Sequence, residues 1–324
     1  MKKILITGAG GFIGSHLSEL CVKRGYKVKA FVHYNSNSRA GWLDCSKQKK
    51  QMDIIAGDIR DFDSVSQAMK GCDTVFHLAA LIGIPYSYRS PLAYVKTNIE
   101  GTYNVVEAAK AQSVKNILIT STSETYGTAE YVPIDERHPK KGQSPYAASK
   151  IAADQLALSY YRSFNSPVTV IRPFNTYGPR QSARAIIPTV VTQILEGKRS
   201  LNLGHLQPTR DFTFVEDAAK GFCEVVKAKK LIGEEVNIGR NEEISIGDLA
   251  RLIAKLMGKK ITFLKDTKRL RPQKSEVEQL RCDNSKILKA TAWKPSYDLE
   301  KGLMKTISWI SKNTRMYKSG MYHV

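Results

Sequence analysis

Seven residues near the amino terminus, Gly8-Ala9-Gly10-Gly11-Phe12-Ile13-Gly14, constrain the fold of this chain more than any other stretch. They lie between a short apolar run at residues 3–7 and a segment, 12–24, whose apolar residues recur with helical spacing. A strand, a tight glycine turn and a helix in that order form the opening of a βαβ unit. The glycines allow the turn, let backbone approach a pyrophosphate, and let the helix pack close on the strand. The helix start adds unpaired N–H groups and a partial positive charge. The spacing is GxxGxxG, with Ile13 in the last glycine place of a strict GxGxxG. Gly8, Gly11, Phe12, Ile13 and Gly14 are therefore the expected phosphate cradle of a dinucleotide.

The alternation continues down the chain. Residues 27–33, 52–56, 74–77, 116–120 and 168–172 read as strands; 63–70, 94–112 and 145–165 read as helices. Strands separated by helices predict an α/β fold, a Rossmann-type doubly wound parallel sheet with its ligand edge at the strand carboxyl ends. Beyond Pro173 the rhythm loosens, with prolines at 179, 188 and 208, a helix near 246–257 and a polar, loop-like stretch at 265–286. This predicts a dinucleotide-binding domain over 1–172, rejoined by about 213–238. A smaller C-terminal α/β substrate-binding lobe then takes most of 173–324.

Composition narrows the class. With 42% hydrophobic and 25% charged residues the chain is an ordinary globular protein. No run reaches the roughly 18 apolar residues of a membrane helix. Five cysteines (Cys21, Cys45, Cys72, Cys223, Cys282) show no paired or metal-binding spacing and read as reduced thiols of a cytoplasmic protein, with no metal site expected. The net charge of +20 has two readings, a field that attracts a diphosphate or a lysine-rich surface. Its lysines are dispersed and not interleaved with aromatics, which argues against a nucleic-acid partner.

Chemistry is concentrated in two runs. Ser121-Thr122-Ser123-Glu124 ends one apolar strand, and Tyr146-Ala147-Ala148-Ser149-Lys150 opens a helix. Tyr146 and Lys150, four apart, share a helix face. The ammonium, joined by a positive nicotinamide, is expected to pull the phenol below its ordinary value of about 10. Such a phenolate can take a proton from a sugar hydroxyl, assisted by Thr122. Glu124 is an additional acid–base group that alcohol oxidation alone does not require.

The rest of the cofactor site is less defined. A carboxylate at the end of the second strand ordinarily holds the ribose hydroxyls of NAD. Here the stretch is His33-Tyr34-Asn35-Ser36-Asn37-Ser38-Arg39, without one. Asn35 can bond a ribose hydroxyl and Arg39 can meet a 2′-phosphate, so NAD is expected with NADP left open. Asp58 and Ile59 are candidate adenine contacts, Asp58 being equally suited to capping a turn. Leu78, Ala79 and Ala80 end a strand under the cofactor, and His77 reads as a core histidine.

Taken together, the glycine turn, His77-Leu78-Ala79-Ala80, Asn98-Ile99-Glu100-Gly101-Thr102, the Tyr146/Lys150 pair and Arg172-Pro173-Phe174-Asn175 resemble the extended short-chain dehydrogenase/reductases over nearly the whole chain. Ser121 to Gly127 is similar to the sugar-nucleotide 4,6-dehydratases. The stretches 174–188 and Pro208-Thr209-Arg210-Asp211-Phe212 resemble the type acting on nucleotide-linked N-acetylglucosamine in legionaminic-acid pathways. Ser123 stands where glucose-nucleotide dehydratases carry an acidic Asp, as in GDP-mannose dehydratases, so Glu124 is expected to serve twice or to act through water.

The resemblance implies that Asn175 and Arg210 meet the sugar diphosphate, Arg271 a phosphate, and Arg184 the region of sugar or nucleotide. It also implies C4 oxidation of a UDP- or GDP-linked sugar, loss of water across C5 and C6, and hydride return to C6. A homodimer through a four-helix bundle of the helices 94–112 and 145–165 is expected. Val105, Val106, Ala108 and Ala109 are offered on one face, and Ile151, Leu156, Leu158 and Tyr160 on the other. Three alternatives stay open: a UDP-glucuronate decarboxylase, a 4-epimerase, and a redox-sensing dinucleotide-binding protein without turnover.

Overall fold

The computed structural model describes residues 2–317 of the 324. The first half alternates strand and helix. Its strands are β1 (Lys3–Thr7), β2 (Lys27–His33), β3 (Met52–Gly57), β4 (Thr74–His77), β5 (Asn116–Thr120) and β6 (Val168–Pro173). Its helices are α1 (Phe12–Lys23), α2 (Phe62–Met69), α3 (Ile84–Arg89), α4 (Pro91–Tyr94), α5 (Gly101–Ala111) and α6 (Pro145–Phe164). The second half adds β7 (Asn175–Tyr177), α7 (Ile186–Leu195), β8 (Ser200–Leu203), β9 (Thr209–Arg210), β10 (Phe212–Phe214), α8 (Val215–Val225) and β11 (Glu235–Ile238). It closes with β12 (Ile244–Ser245), α9 (Ile246–Leu256), β13 (Thr262–Lys265), β14 (Gln279–Leu280), α10 (Ser285–Ala290) and α11 (Leu299–Lys312).

Seven strands form one parallel sheet in the order β11-β6-β5-β4-β1-β2-β3. Successive side chains along each strand point to opposite faces. Leu5, Val75, Ile117 and Val170 enter a core with α2, α5 and α6. Ile4, Ile6, Phe76, Leu118 and Ile171 enter a second core with α1 and α8. Both faces are covered, so these strands read as nearly continuous apolar runs. Each fully buried Leu, Ile or Phe contributes about 1.5–3 kcal/mol. The order reverses between β1 and β4, which opens a crevice at Thr7 and His77, the ends of those two strands.

The chain comes back to this sheet late. Helix α8 packs on α1 and β11 is its seventh strand, paired with β6. A separate core joins α7, α9 and α11 around Ile187, Val190, Leu249, Ile253, Leu303 and Ile310. Three small sheets lie outside the parallel one: β7 with β10, β8 with β13, and β9 between β12 and β14.

Two expectations need correction. The helix expected over 94–112 is interrupted by a π-helical turn, Val95–Glu100, before α5; single π turns often sit at functional sites. Of the apolar residues from which a pairing face is expected, Val105, Val106, Ala108, Ala109, Leu158 and Tyr160 are buried in the protomer's own core, and Ile151 and Leu156 are half-buried. The large apolar side chains left exposed on these helices are Leu92, Val95, Tyr103, Tyr161 and Phe164. Among the described residues no helix is long and apolar enough to cross a membrane.

Candidate active site

The glycine turn closes onto the end of β4. Gly8 has φ +70°, and a Cβ there would lie 2.7 Å from the Ala79 nitrogen. A Cβ on Gly14 would lie 2.2 Å from the Gly8 oxygen. Side chains at these positions would push α1 away from the crevice. The helix starts after Gly11 with no side-chain cap and no acidic residue in its first turn, so its N–H groups and dipole face the crevice free for an anion. This cradle fits a dinucleotide pyrophosphate. Ala79 donates its N–H to the Thr7 hydroxyl at 3.2 Å. His77 bridges the Thr7 and Thr102 hydroxyls at 2.8 and 3.1 Å. Burial, with the charge of Lys150, drops its pKa to about 3, so it is a neutral core residue.

The adenosine end is arranged differently from a carboxylate-bearing site. Val32 lies 3.4 Å from a Cβ built on Gly10, so β2 presents an apolar side chain to the glycine turn. Asn35 is engaged by its own loop, accepting from the Arg39 N–H at 3.0 Å and donating to the His33 and Arg39 carbonyls. Asp58 receives the Arg60 guanidinium and backbone N–H. Ile59 packs where a side chain on Gly101 would otherwise go.

At the end of β5 the chain turns through Thr122, whose hydroxyl accepts the Glu124 N–H at 3.3 Å and caps a short 3-10 turn, Ser123–Tyr126. Ser123 is buried. The turn aims Glu124 away from the sheet, where its carboxylate receives Arg271 Nη1 at 3.3 Å. Tyr146, one residue into α6, has Thr122 beside its phenol and the Tyr94 ring edge-on at 6.2 Å. Burial holds the phenol above its ordinary value; Thr122 pulls it down, while Glu124, Asp154 and Tyr94 push it up. That direction is opposite to the one expected from the Tyr-Lys spacing. Burial of the ring outweighs the other influences, and the Lys150 ammonium donates to the Thr120 carbonyl at 2.6 Å. Lys150 is itself lowered, by burial first and by Arg172, with Asp154 opposing.

The second half of the chain supplies the other wall. Arg210 is buried, donates to the Thr209 carbonyl at 2.9 Å, and lies 3.6 Å from Glu276. Burial lowers it from the ordinary guanidinium value, against the pull of Glu124. Arg271 is 3.9 Å from the same Glu276; burial works against its charge, but Glu124 and Glu276 raise it overall. Two guanidiniums and two carboxylates thus meet in one cluster, and the charge of one of them, Glu124, reaches Tyr146. Asn175, after β6, has a buried Oδ1 with no hydrogen-bond partner. Arg184 lies against Gly83, where a Cβ would sit 2.6 Å from its Nη1, and its charge reaches Tyr94.

Sequence reading missed three groups that assemble this site. Asn98, in the π turn, bonds both backbone groups of Leu81 and donates to Ser149 Oγ at 2.9 Å, tying the loop after β4 to the catalytic helix. Ser149 in turn donates to the Tyr146 carbonyl. Asp154 and Arg172 form a fully buried ion pair at 2.8 Å. Glu276 was read as part of a polar loop. The spacing of Asp154, four residues after Lys150, was a usable signal; the other two depend on contacts between distant segments.

Comparison with known proteins gives one consistent picture. The family model described as GDP-mannose 4,6 dehydratase matches residues 5–306. A UDP-N-acetyl-alpha-D-glucosaminuronate decarboxylase of Bacillus cytotoxicus is 33% identical over 95% of this chain and 97% of its own length. Among solved structures, a UDP-glucuronic acid 4-epimerase from Bacillus cereus, in complex with UDP-glucuronic acid and NAD, superposes with a TM-score of 0.86 at 31% identity, covering 96% of this chain and 99% of that one. A dTDP-glucose 4,6-dehydratase from Streptomyces venezuelae with NAD and TYD bound does so with a TM-score of 0.88 at 26% identity, covering 98% and 99%.

Proposed function

The chain belongs to the GDP-mannose 4,6-dehydratase family of extended short-chain dehydrogenase/reductases, enzymes acting on sugar nucleotides, and from that premise we propose that it is an NAD-dependent 4,6-dehydratase of UDP- or GDP-linked N-acetylglucosamine. The observation that carries the reading is the Glu124 carboxylate, set against Arg271 with its charge reaching the Tyr146 phenol. A carboxylate there can take a proton from a sugar carbon adjacent to a new carbonyl, which an enzyme that only oxidises and re-reduces C4 has no need of.

The residues present fit the cofactor. Gly8, Gly11, Phe12, Ile13 and Gly14 would hold its pyrophosphate, Asn35 and Arg39 would border the adenosine ribose, Asp58 and Ile59 the adenine, and Leu78, Ala79 and Ala80 would lie beneath the rings. When bound, it would supply a hydride acceptor for C4 and a hydride donor for C6. Tyr146, with Thr122 beside it and Lys150 behind, takes the C4 hydroxyl proton. Glu124 removes the C5 proton, made acidic by the neighbouring carbonyl, and passes it to the C6 hydroxyl, which leaves as water, Ser123 offering only a neutral hydroxyl; C5 regains a proton from solvent once C6 is reduced. Arg210, Arg271 and Asn175 hold the diphosphate, and Arg184 borders the sugar or nucleotide; a planar guanidinium pairs two phosphate oxygens at once.

The decarboxylase relative supports a second reading, in which C5 loses carbon dioxide from a uronate. Mass spectrometry of reactions with UDP- and GDP-N-acetylglucosamine, UDP-glucuronate and its N-acetylated analogue separates the two. Loss of water from an N-acetylglucosamine nucleotide is expected. Loss of carbon dioxide from a uronate, with no dehydration, would replace the proposal.

We also propose a homodimer in which α5 and α6 pair with their symmetry mates. Tyr103, Tyr161, Phe164, Leu92 and Val95, between 37% and 63% exposed, are the apolar surface such a four-helix contact would cover. Sedimentation velocity at micromolar concentration should give twice the mass of the chain, and Phe164→Asp should shift the protein toward monomer. A wild-type monomer would refute the assembly.

A further inference from the structure

Tyr146, Lys150 and Asp154 recur every four residues and so share one face of α6. Asp154 is fully buried, and one of its oxygens has two partners. Its Oδ2 accepts from the Ser121 hydroxyl and from Arg172 Nη2 at 2.8 Å, whereas its Oδ1 has no hydrogen-bond partner. Ser121 opens the Ser-Thr-Ser-Glu run, and Arg172 lies one residue before the turn that leads to Asn175. Arg172 also donates to Tyr126 Oη at 2.8 Å and to Glu235 at 3.0 Å, and Glu235 takes Lys140 at 2.6 Å. Charges therefore alternate from the surface inward: Lys140, Glu235, Arg172, Asp154, Lys150.

We propose that Asp154 is a positioning residue of the active site, which pins the ends of β5 and β6 to the catalytic helix and sets, by its negative charge, the protonation of Lys150 and Tyr146. The proposal rests on that pair carrying the proton chemistry and not on which sugar nucleotide is the substrate. Every group facing it has a known sign. On its own helix are Lys150 and Tyr146. From β6 comes Arg172, from β11 Glu235, and from the β5 end Ser121 and Tyr126. His77 faces Lys150, while Glu124 and Tyr94 face Tyr146. Arg172 opposes the charge of Lys150 and Asp154 supports it; Asp154 also disfavours the Tyr146 phenolate. An uncharged residue at 154 would leave Arg172 with one of its two carboxylates, Glu235, so more of its positive charge would act on the helix and both Lys150 and Tyr146 would lose their protons at lower pH.

Asp154→Asn isolates the charge, because the amide oxygen can keep the bonds of Oδ2 and the amide nitrogen replaces the unpartnered Oδ1. The sign of its effect on stability follows from linkage. Lys150 has a folded value below its ordinary one, so its stability contribution is complete above the unfolded value and is lost as pH falls through the folded one. The variant extends that loss, and its Tyr146 is less penalised at high pH. The melting temperature of Asp154→Asn should therefore fall below wild type by about 2–4 °C near pH 7, with the gap narrowing as pH rises to the constant part that comes from the lost ion pair with Arg172. The pH optimum of turnover should move down by about one unit. This thermal readout needs no substrate, so it stands even if the proposed reaction does not. Glu235→Gln, which removes the second carboxylate from Arg172, should shift both measurements the same way by less, and serves if Asp154→Asn does not fold. A gap that is constant with pH in these variants, with an unmoved optimum, would reduce Asp154 to a structural anchor and overturn the proposal.

Discussion

Glu124→Gln is expected to lower formation of the dehydrated sugar nucleotide by about 10²–10⁴-fold, the range for removal of a general acid–base group. Gln has the shape of Glu and can still accept from Arg271, whose guanidinium is 3.3 Å away, so the wall of the site stays in place. What disappears is the base for the C5 proton. The charge effect on Tyr146 runs the other way, since Glu124 pushes the phenol up and its loss relaxes that pressure. The C4 step is therefore not expected to slow, and the defect falls on elimination. Reaction in deuterium oxide separates the two: wild type takes solvent deuterium at C5, and the variant does not. Full product at the wild-type rate, with deuterium at C5, would remove Glu124 from the mechanism.

Tyr146→Phe is expected to cost a similar factor, about 10²–10⁴ in kcat, but at the first step, so that neither product nor deuterium exchange at C5 appears. The ring contributes to the fold through its edge contact with Tyr94, and phenylalanine preserves that contact. The diphosphate contacts proposed for Arg210, Arg271 and Asn175 do not involve the phenol, so KM should change by about twofold or less. Retention of a tenth or more of wild-type kcat would show that another group takes the C4 proton. Because burial keeps the phenol above its ordinary value, wild-type turnover should rise as pH increases across the neutral range, and Tyr146→Phe should lose that rise.

Much of the scaffold was readable from residue patterns. Helix α1 runs from Phe12 to Lys23 where 12–24 was expected, and β1, β2, β4 and β5 keep their expected limits. These elements bury continuous apolar runs or one periodic face, and neither depends on a distant partner. The interruption of the helix at Val95–Glu100 was not readable, because nothing in its residue types breaks a helix. Asn98 leaves the regular pattern in order to bond Leu81 and Ser149, each brought close by a different segment.

The site divides along the same line. Tyr146 and Lys150 follow from spacing on one helix, and the cradle from glycines placed between a strand and a helix, since both are local geometry. The direction in which Tyr146 is shifted does not follow from spacing. It depends on how deeply α6 is covered, with Lys150 bonding Thr120. Arg271, 147 residues along the chain from Glu124 in a polar loop, donates to its carboxylate at 3.3 Å, a contact that no spacing foretells. Residue order thus determined the strand–helix alternation, the glycine cradle and which acid–base groups exist, because those rest on chain-local sterics and periodicity. Tertiary structure alone decided which charge faces which, because electrostatic energy depends on distance and burial between segments that the chain order keeps far apart.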